Sequence, residues 1–326
     1  MNSMGGFLKC LEIAPREELV EDSRLRDIAQ RLFPNKIISD ISVITLGWTS
    51  EIAVMNGEYI IKIPRGGSSL SLKKEISITN YLKDKLPVRI PQYTVILDDG
   101  KLEAAAYRKI EGIMLTSQEI PEDLPYVNPW EFLSGRNAEI VARQIANILN
   151  AIHGLDTTEM SELLKPFAHM SWEDLILTDI EDAKTISKIV FSGNFLDSCL
   201  QFLEKLTKQI HEFDFDLRFV HGDFGGWNIL FNKDELKITG LLDWGGCCIG
   251  DPATDFKELI YDFGEEFTFK VLKYYAYPSD DTLIQRARLY LQLAGFLDLK
   301  HGVESKSEFF TKKGISVITN LIKSSE

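Results

Sequence analysis

The stretch Phe219-Val220-His221-Gly222-Asp223-Phe224-Gly225-Gly226-Trp227-Asn228-Ile229-Leu230-Phe231, with Leu242-Asp243-Trp244-Gly245 beyond it, decides how this chain is read. An apolar pair leads into a glycine-rich loop that carries Asp223. Asn228 stands five residues on, before an apolar strand. Asn232-Lys233-Asp234 makes a turn, and Leu236–Leu242 reads as a return strand that delivers Asp243. A hairpin of this length sets Asn228 and Asp243 side by side. Their amide and carboxylate oxygens suit Mg²⁺, which is usually held by one or two protein groups together with phosphate oxygens. A carboxylate on the neighbouring loop can orient a hydroxyl and take its proton. Taken singly, each of the three also suits a turn. Their common register favours chemistry.

Two further residues extend the set. Lys62 closes Tyr59-Ile60-Ile61-Lys62, an apolar strand with a single cation. Glu75 lies on the helix that follows and is placed to pair with it, which would hold the ammonium against phosphate. The segment Leu46-Gly47-Trp48-Thr49-Ser50-Glu51 offers one glycine and two hydroxyls to cover phosphates, Ser50 among them. His221, two residues before Asp223, reads as a loop-holding group that bonds to backbone. His153 reads as packing. Asp251, in Gly250-Asp251-Pro252, reads as a helix cap beside the site. Asp255, Glu258, Asp262, Glu265 and Glu266 form an acidic face on the next helix. Such a face either binds ammonium groups of a substrate or is simply solvated.

Bulk properties narrow the class. The chain has 326 residues, 44% of them hydrophobic, enough for one large two-lobed unit or two intimate domains. Its net charge of −13 disfavours nucleic acid and anionic membranes and favours a cationic partner. No apolar run is long enough to span a bilayer, and residues 1–16 lack the pattern of a secretory signal. Cys10, Cys199, Cys247 and Cys248 show no metal-binding spacing, so reduced thiols in the cytoplasm are expected.

Periodicity predicts helices over 21–33 and 69–86, with strands at 38–46, 51–55, 58–63 and on both sides of Asp98-Asp99-Gly100. Asn56-Gly57 marks a hairpin. Beyond Gly112 helical patterns take over, at 137–153, 171–186, 195–212, 253–263, 266–275, 280–302 and 313–323. The motif region 219–243 interrupts them as loop and short strands. The composition shift predicts an α+β fold, with a β-rich amino lobe over 1–110 and a helical carboxyl lobe over 111–326.

The order His-x-Asp-x-x-x-x-Asn, hairpin, Asp-x-Gly is that of kinases, with Trp244 in place of Phe. His221 to Asn228, Leu242-Asp243-Trp244 and Gly250-Asp251-Pro252-Ala253-Thr254-Asp255-Phe256 together resemble the signature of the aminoglycoside phosphotransferase and choline kinase superfamily. Tyr59 to Arg65, Tyr107 to Gly112, Phe263 to Phe267 and Arg286 to Tyr290 are similar to its 2″-phosphotransferase branch. This resemblance implies a protein-kinase-like two-lobed fold. It implies Asp223 as base, Asn228 and Asp243 as Mg²⁺ ligands, and Lys62 on phosphate with Glu75 as its partner. Hinge backbone near Arg108–Ile110 would hold the purine of ATP or GTP. The implied reaction moves a γ-phosphoryl to a hydroxyl of a small cationic acceptor, an aminoglycoside foremost, in a monomer. A kinase for a macrolide, a hygromycin-like compound, choline or a sugar amine is the alternative, and a degenerate nucleotide binder the alternative outside enzymes. A complete set of Lys62, Glu75, Asp223, Asn228 and Asp243 argues against degeneracy.

Overall fold

The structure, a computed structural model, describes residues 22–44, 50–65, 69–98, 102–117, 126–167, 171–277 and 282–325. Helix α1 (Asp22–Leu32) precedes strands β1 (Ile41–Ile44), β2 (Ser50–Met55) and β3 (Tyr59–Pro64). Helix α2 (Leu70–Leu82) and strands β4 (Tyr93–Asp98) and β5 (Leu102–Arg108) follow. The strands form an antiparallel sheet in the order β1-β2-β3-β5-β4. Asn56 (φ 53°) and Gly57 (φ 68°) both take left-handed backbone, as a tight hairpin requires.

Alternation along β3 gives the sheet two different faces. Ile61 and Ile63 join Ala53, Met55, Ala104 and Ala106 against Leu25, Ile28, Ala29 and Leu32 of α1. Ile60 points the other way, into a cluster with Tyr93, Tyr107 and Leu72 and Ile76 of α2. Lys62 is two residues from Ile60 and shares its face. The pleat therefore aims this lone cation at α2.

Next come β6 (Ile113–Leu115), β7 (Tyr126–Val127), α3 (Gly135–His153) and α4 (Thr157–Leu164). Helices α5 (Trp172–Val190) and α6 (Gly193–Ile210) lead to β8 (Arg218–Val220), β9 (Ile229–Asn232), β10 (Lys237–Leu241) and β11 (Cys248–Gly250). Strands β9 and β10 make the expected hairpin, and β6 pairs with β9 in a sheet ordered β10-β9-β6-β7. Strands β8 and β11 pair separately and bracket the motif region. Helix α7 (Ala253–Leu272) kinks at Gly264 (φ 71°, ψ 167°), between the two helices expected at 253–263 and 266–275. The helix expected over 280–302 is two, α8 (Leu283–Leu291) and α9 (Ala294–Glu304), before α10 (Glu308–Ser325). Strands β6 and β7 and helix α4 were not expected, being too short to show a period.

By contact the described chain divides into two compact units. One draws on segments 19–169 and 217–280, the other on 170–216 and 281–326. In the second, α9 and α10 approach closely at Gly314, where a Cβ would lie 2.5 Å from the Leu299 nitrogen. Every candidate site residue belongs to the first.

Candidate active site

Lys62 is the centre of a three-residue ion pair. Its Nζ donates to Glu75 Oε2 at 2.8 Å and to Asp243 Oδ1 at 3.2 Å. Burial disfavours the ammonium, but the Asp243 and Glu75 carboxylates outweigh it and hold the pKa well above the ordinary lysine range. Lys62 chiefly pulls the Asp243 carboxyl below its usual range. Asp243 itself adopts left-handed backbone (φ 57°, ψ 73°), a strained state for a non-glycine residue, where β10 ends. Gly245 packs against α2, where a Cβ would lie 2.7 Å from Ser71 Oγ. The Asp-Trp-Gly turn thus seats the helix that carries Glu75.

Asn228 Nδ2 donates to the Asp223 carboxylate oxygen Oδ2 at 2.8 Å and to the Asp223 carbonyl at 2.9 Å. Burial, then the Glu258 and Asp243 carboxylates, push the Asp223 pKa up to about 7. Such a group is poised to exchange a proton near neutrality.

The loop between β8 and β9 is held by side chains distant in sequence. Asp255 accepts from the backbone N–H of His221 at 2.9 Å and of Gly222 at 2.8 Å, and lies 3.0 Å from His153 Nε2. The His221 ring accepts the Asp223 N–H at Nδ1 (3.3 Å), so Nε2 carries the proton given to the Leu242 carbonyl at 3.0 Å. Burial lowers its pKa and keeps it neutral. Gly222 (φ 81°) packs so tightly that a Cβ would lie 2.5 Å from the Gly246 carbonyl. Asp262 accepts from Gly226 N at 2.6 Å, Thr116 Oγ1 at 2.6 Å and Ser117 N at 3.2 Å. Asp251 accepts from Ala253 N at 3.0 Å and so caps the start of α7.

These contacts revise the acidic face of α7. Asp255 and Asp262 are fully buried and their oxygens are taken up by loop donors, so neither has a face for an acceptor. Both are anchors of the Asp223 loop. Glu258, half-buried between them, sets its carboxylate near Asp223 and lies 3.3 Å from Lys257. Glu265 is half-buried, and Glu266 is exposed with Lys270 2.5 Å away. Ser50 is buried at the head of β2 opposite Pro64, while residues 45–49 lie outside the described residues. Arg108 is exposed at the end of β5, and Ile110 is buried against Gly240. Cys199, Cys247 and Cys248 are buried free thiols, as expected; Cys10 lies outside the described residues.

Among the described residues no three His, Cys, Asp or Glu side chains gather into a ready-made metal site. What exists fits Mg²⁺ shared with phosphates. Asn228 spends its amide N–H groups on Asp223, leaving the carbonyl oxygen as the atom that would face a cation, and the Asp243 side chain is 44% exposed.

Residues 40–290 match the model of APH, the phosphotransferase enzyme family. The chain belongs to this family. It is therefore a phosphotransferase, of the kind that acts on hydroxyl acceptors. It is 24% identical over 227 residues to the uncharacterized protein YcbJ of Bacillus subtilis (strain 168), covering 67% of each chain. To the viomycin phosphotransferase of Streptomyces vinaceus it is 28% identical over 141 residues, 41% of this chain and 46% of that one. A GDP and kanamycin complex of an aminoglycoside 2″-phosphotransferase shares its fold, with a TM-score of 0.76 at 22% identity over 93% of this chain and 99% of that one. The fold is thus the protein-kinase-like α+β fold expected.

In this phosphotransferase, sequence reasoning missed the anchoring roles of His153, Asp255 and Asp262. A signal was present. Asp255, Glu258 and Asp262 fall at helical spacing on one face, and that face meets the Asp223 loop.

Proposed function

We propose that this phosphotransferase transfers the γ-phosphoryl of ATP or GTP to a hydroxyl of a small polycation, an aminoglycoside foremost, and so inactivates an antibiotic. The observation that carries this reading is the convergence of Asp223, Glu258 and the Lys62–Asp243 pair around one loop. Asp223, hydrogen-bonded by Asn228, is the base that orients the acceptor hydroxyl and takes its proton as the new bond forms. Lys62, kept protonated and aimed by Glu75, holds the donor's phosphate oxygens. Asn228 and Asp243 would hold Mg²⁺, which neutralises phosphate charge when bound. Backbone around Arg108–Ile110 receives the purine, and Ser50 stands at the edge of the phosphate-covering segment. Residues 1–110 serve the nucleotide, and residues 111–326 carry the catalytic loop, the metal site and the acceptor site.

Glu258, with Glu265 and Glu266 farther along α7, is the acidic surface offered to the acceptor's ammonium groups. The chain's net charge of −13 supports a cationic acceptor and disfavours nucleic acid. No described helix is long and apolar enough to cross a membrane, and the reading places a monomer in the cytoplasm. The testing experiment couples nucleoside diphosphate release to a panel of aminoglycosides, macrolides and amino alcohols. Turnover with aminoglycosides is expected; turnover confined to neutral acceptors would overturn the assignment.

A further inference from the structure

Behind the Lys62–Glu75 pair, two buried oxygens lack a hydrogen-bond partner among the described residues: Glu75 Oε1 and the Tyr93 hydroxyl. Tyr93 opens β4, opposite Tyr107 of β5. The two rings meet edge to face with centroids 5.1 Å apart. Both sit in the apolar cluster to which α2 gives Leu72 and Ile76, the residue after Glu75. The Tyr93 hydroxyl lies near enough to the Glu75 carboxylate to act on it as a donor, yet no full hydrogen bond joins them. Packing alone does not account for a phenol here. A phenylalanine would fill the same cluster without burying a hydroxyl. The carboxylate oxygen has the matching deficit, since its twin alone is engaged by Lys62.

The Lys62 ammonium is divided between Glu75 and Asp243. When it turns toward phosphate it pulls on Glu75, and a donor behind that carboxylate resists the pull. We propose that Tyr93 is a positioning residue of the phosphoryl-transfer site, its hydroxyl donating to Glu75 Oε1 so that Oε2 keeps Lys62 aimed at the phosphates of a bound nucleoside triphosphate. This rests on the reading of Lys62 as a phosphate ligand.

A double-mutant cycle tests it, with calorimetric affinities for a non-hydrolysable ATP or GTP analogue and for the bare nucleoside in the full chain. Tyr93→Phe is expected to weaken the triphosphate analogue roughly 3–10-fold, the worth of one hydrogen bond, and to leave nucleoside affinity unchanged. In a Glu75→Ala background the same change is expected to have no further effect. Its melting temperature is expected to hold, because no formed bond is lost. Equal losses for analogue and nucleoside, or an undiminished effect on top of Glu75→Ala, would reduce Tyr93 to packing and overturn the proposal. Lys62→Ala separates the two readings. If it leaves triphosphate affinity intact, the Lys62 assignment falls and the Tyr93 proposal with it. If it weakens the analogue while Tyr93→Phe is silent, only Tyr93 is wrong.

Discussion

Lys62 Nζ meets Asp243 Oδ1 at 3.2 Å across 181 residues of sequence. One end of the contact is a strand of the five-stranded sheet, and the other is the end of the β9–β10 hairpin. The lysine neutralises Asp243, and on the proposed reading nucleotide binding redistributes that charge. The pair is therefore expected to control how metal and phosphate enter together.

Asp243→Ala should weaken binding of the magnesium–nucleotide complex far more than binding of the same nucleotide in excess chelator. Titration calorimetry in both conditions measures the difference. Equal losses would remove Asp243 from the metal site.

Asp223→Asn should lower turnover roughly 10²–10⁴-fold while nucleotide affinity stays close to wild type, because only the base is lost. Wild-type kcat/KM should rise with pH through about 7 and level off above it, since the raised pKa of Asp223 makes the ionised base the high-pH form. Steady-state rates from pH 5.5 to 9 check this. A flat profile across that range would exclude Asp223 as a base titrating there.

Glu258 contributes to that raised pKa through its negative charge, after burial itself. Glu258→Gln should move the acid limb of the pH profile toward lower pH. It should also raise KM for a polycationic acceptor while kcat above the limb stays near wild type, the signature of lost uniform binding. Added salt should raise the same KM. If KM responds neither to salt nor to the substitution, the acidic surface is only solvated.

Asp255→Ala strips partners from the N–H groups of His221 and Gly222. Each buried donor left bare costs about 1–3 kcal/mol, so denaturant unfolding should show a loss of roughly 2–6 kcal/mol for the two, and turnover should fall with it. The pH dependence has a definite sign. Burial would raise the Asp255 pKa, but His153 and the loop N–H groups outweigh it, leaving the folded value below the unfolded one. Its stabilisation is present above an unfolded pKa of about 3.9 and is lost as pH falls through the folded value. Wild type should lose stability in that acid window more steeply than Asp255→Ala.

Much of this was legible in order along the chain. Asn56-Gly57 specifies its hairpin because few residues tolerate two successive left-handed conformations. Lys62 follows Ile60 by two, so the period of the strand alone turns it toward the helix of Glu75. Asp223, Asn228 and Asp243 share one loop and hairpin, and a hairpin's register is local. The short strands β6 and β7 were invisible because two or three residues carry no period.

The sequence by itself determined the local elements that present Lys62, Asp223, Asn228 and Asp243. Only the tertiary structure decided how the carboxylates of α7 are divided. Asp255, Glu258 and Asp262 look alike along the helix. Asp255 and Asp262 meet the N–H groups of Gly222 and Gly226, 33 and 36 residues away, and are consumed as anchors. Glu258 falls between those contacts, and its carboxylate lies beside Asp223 and Lys257. The distinction depends on where a buried N–H happens to need an acceptor, and only packing of the loop against the helix sets that.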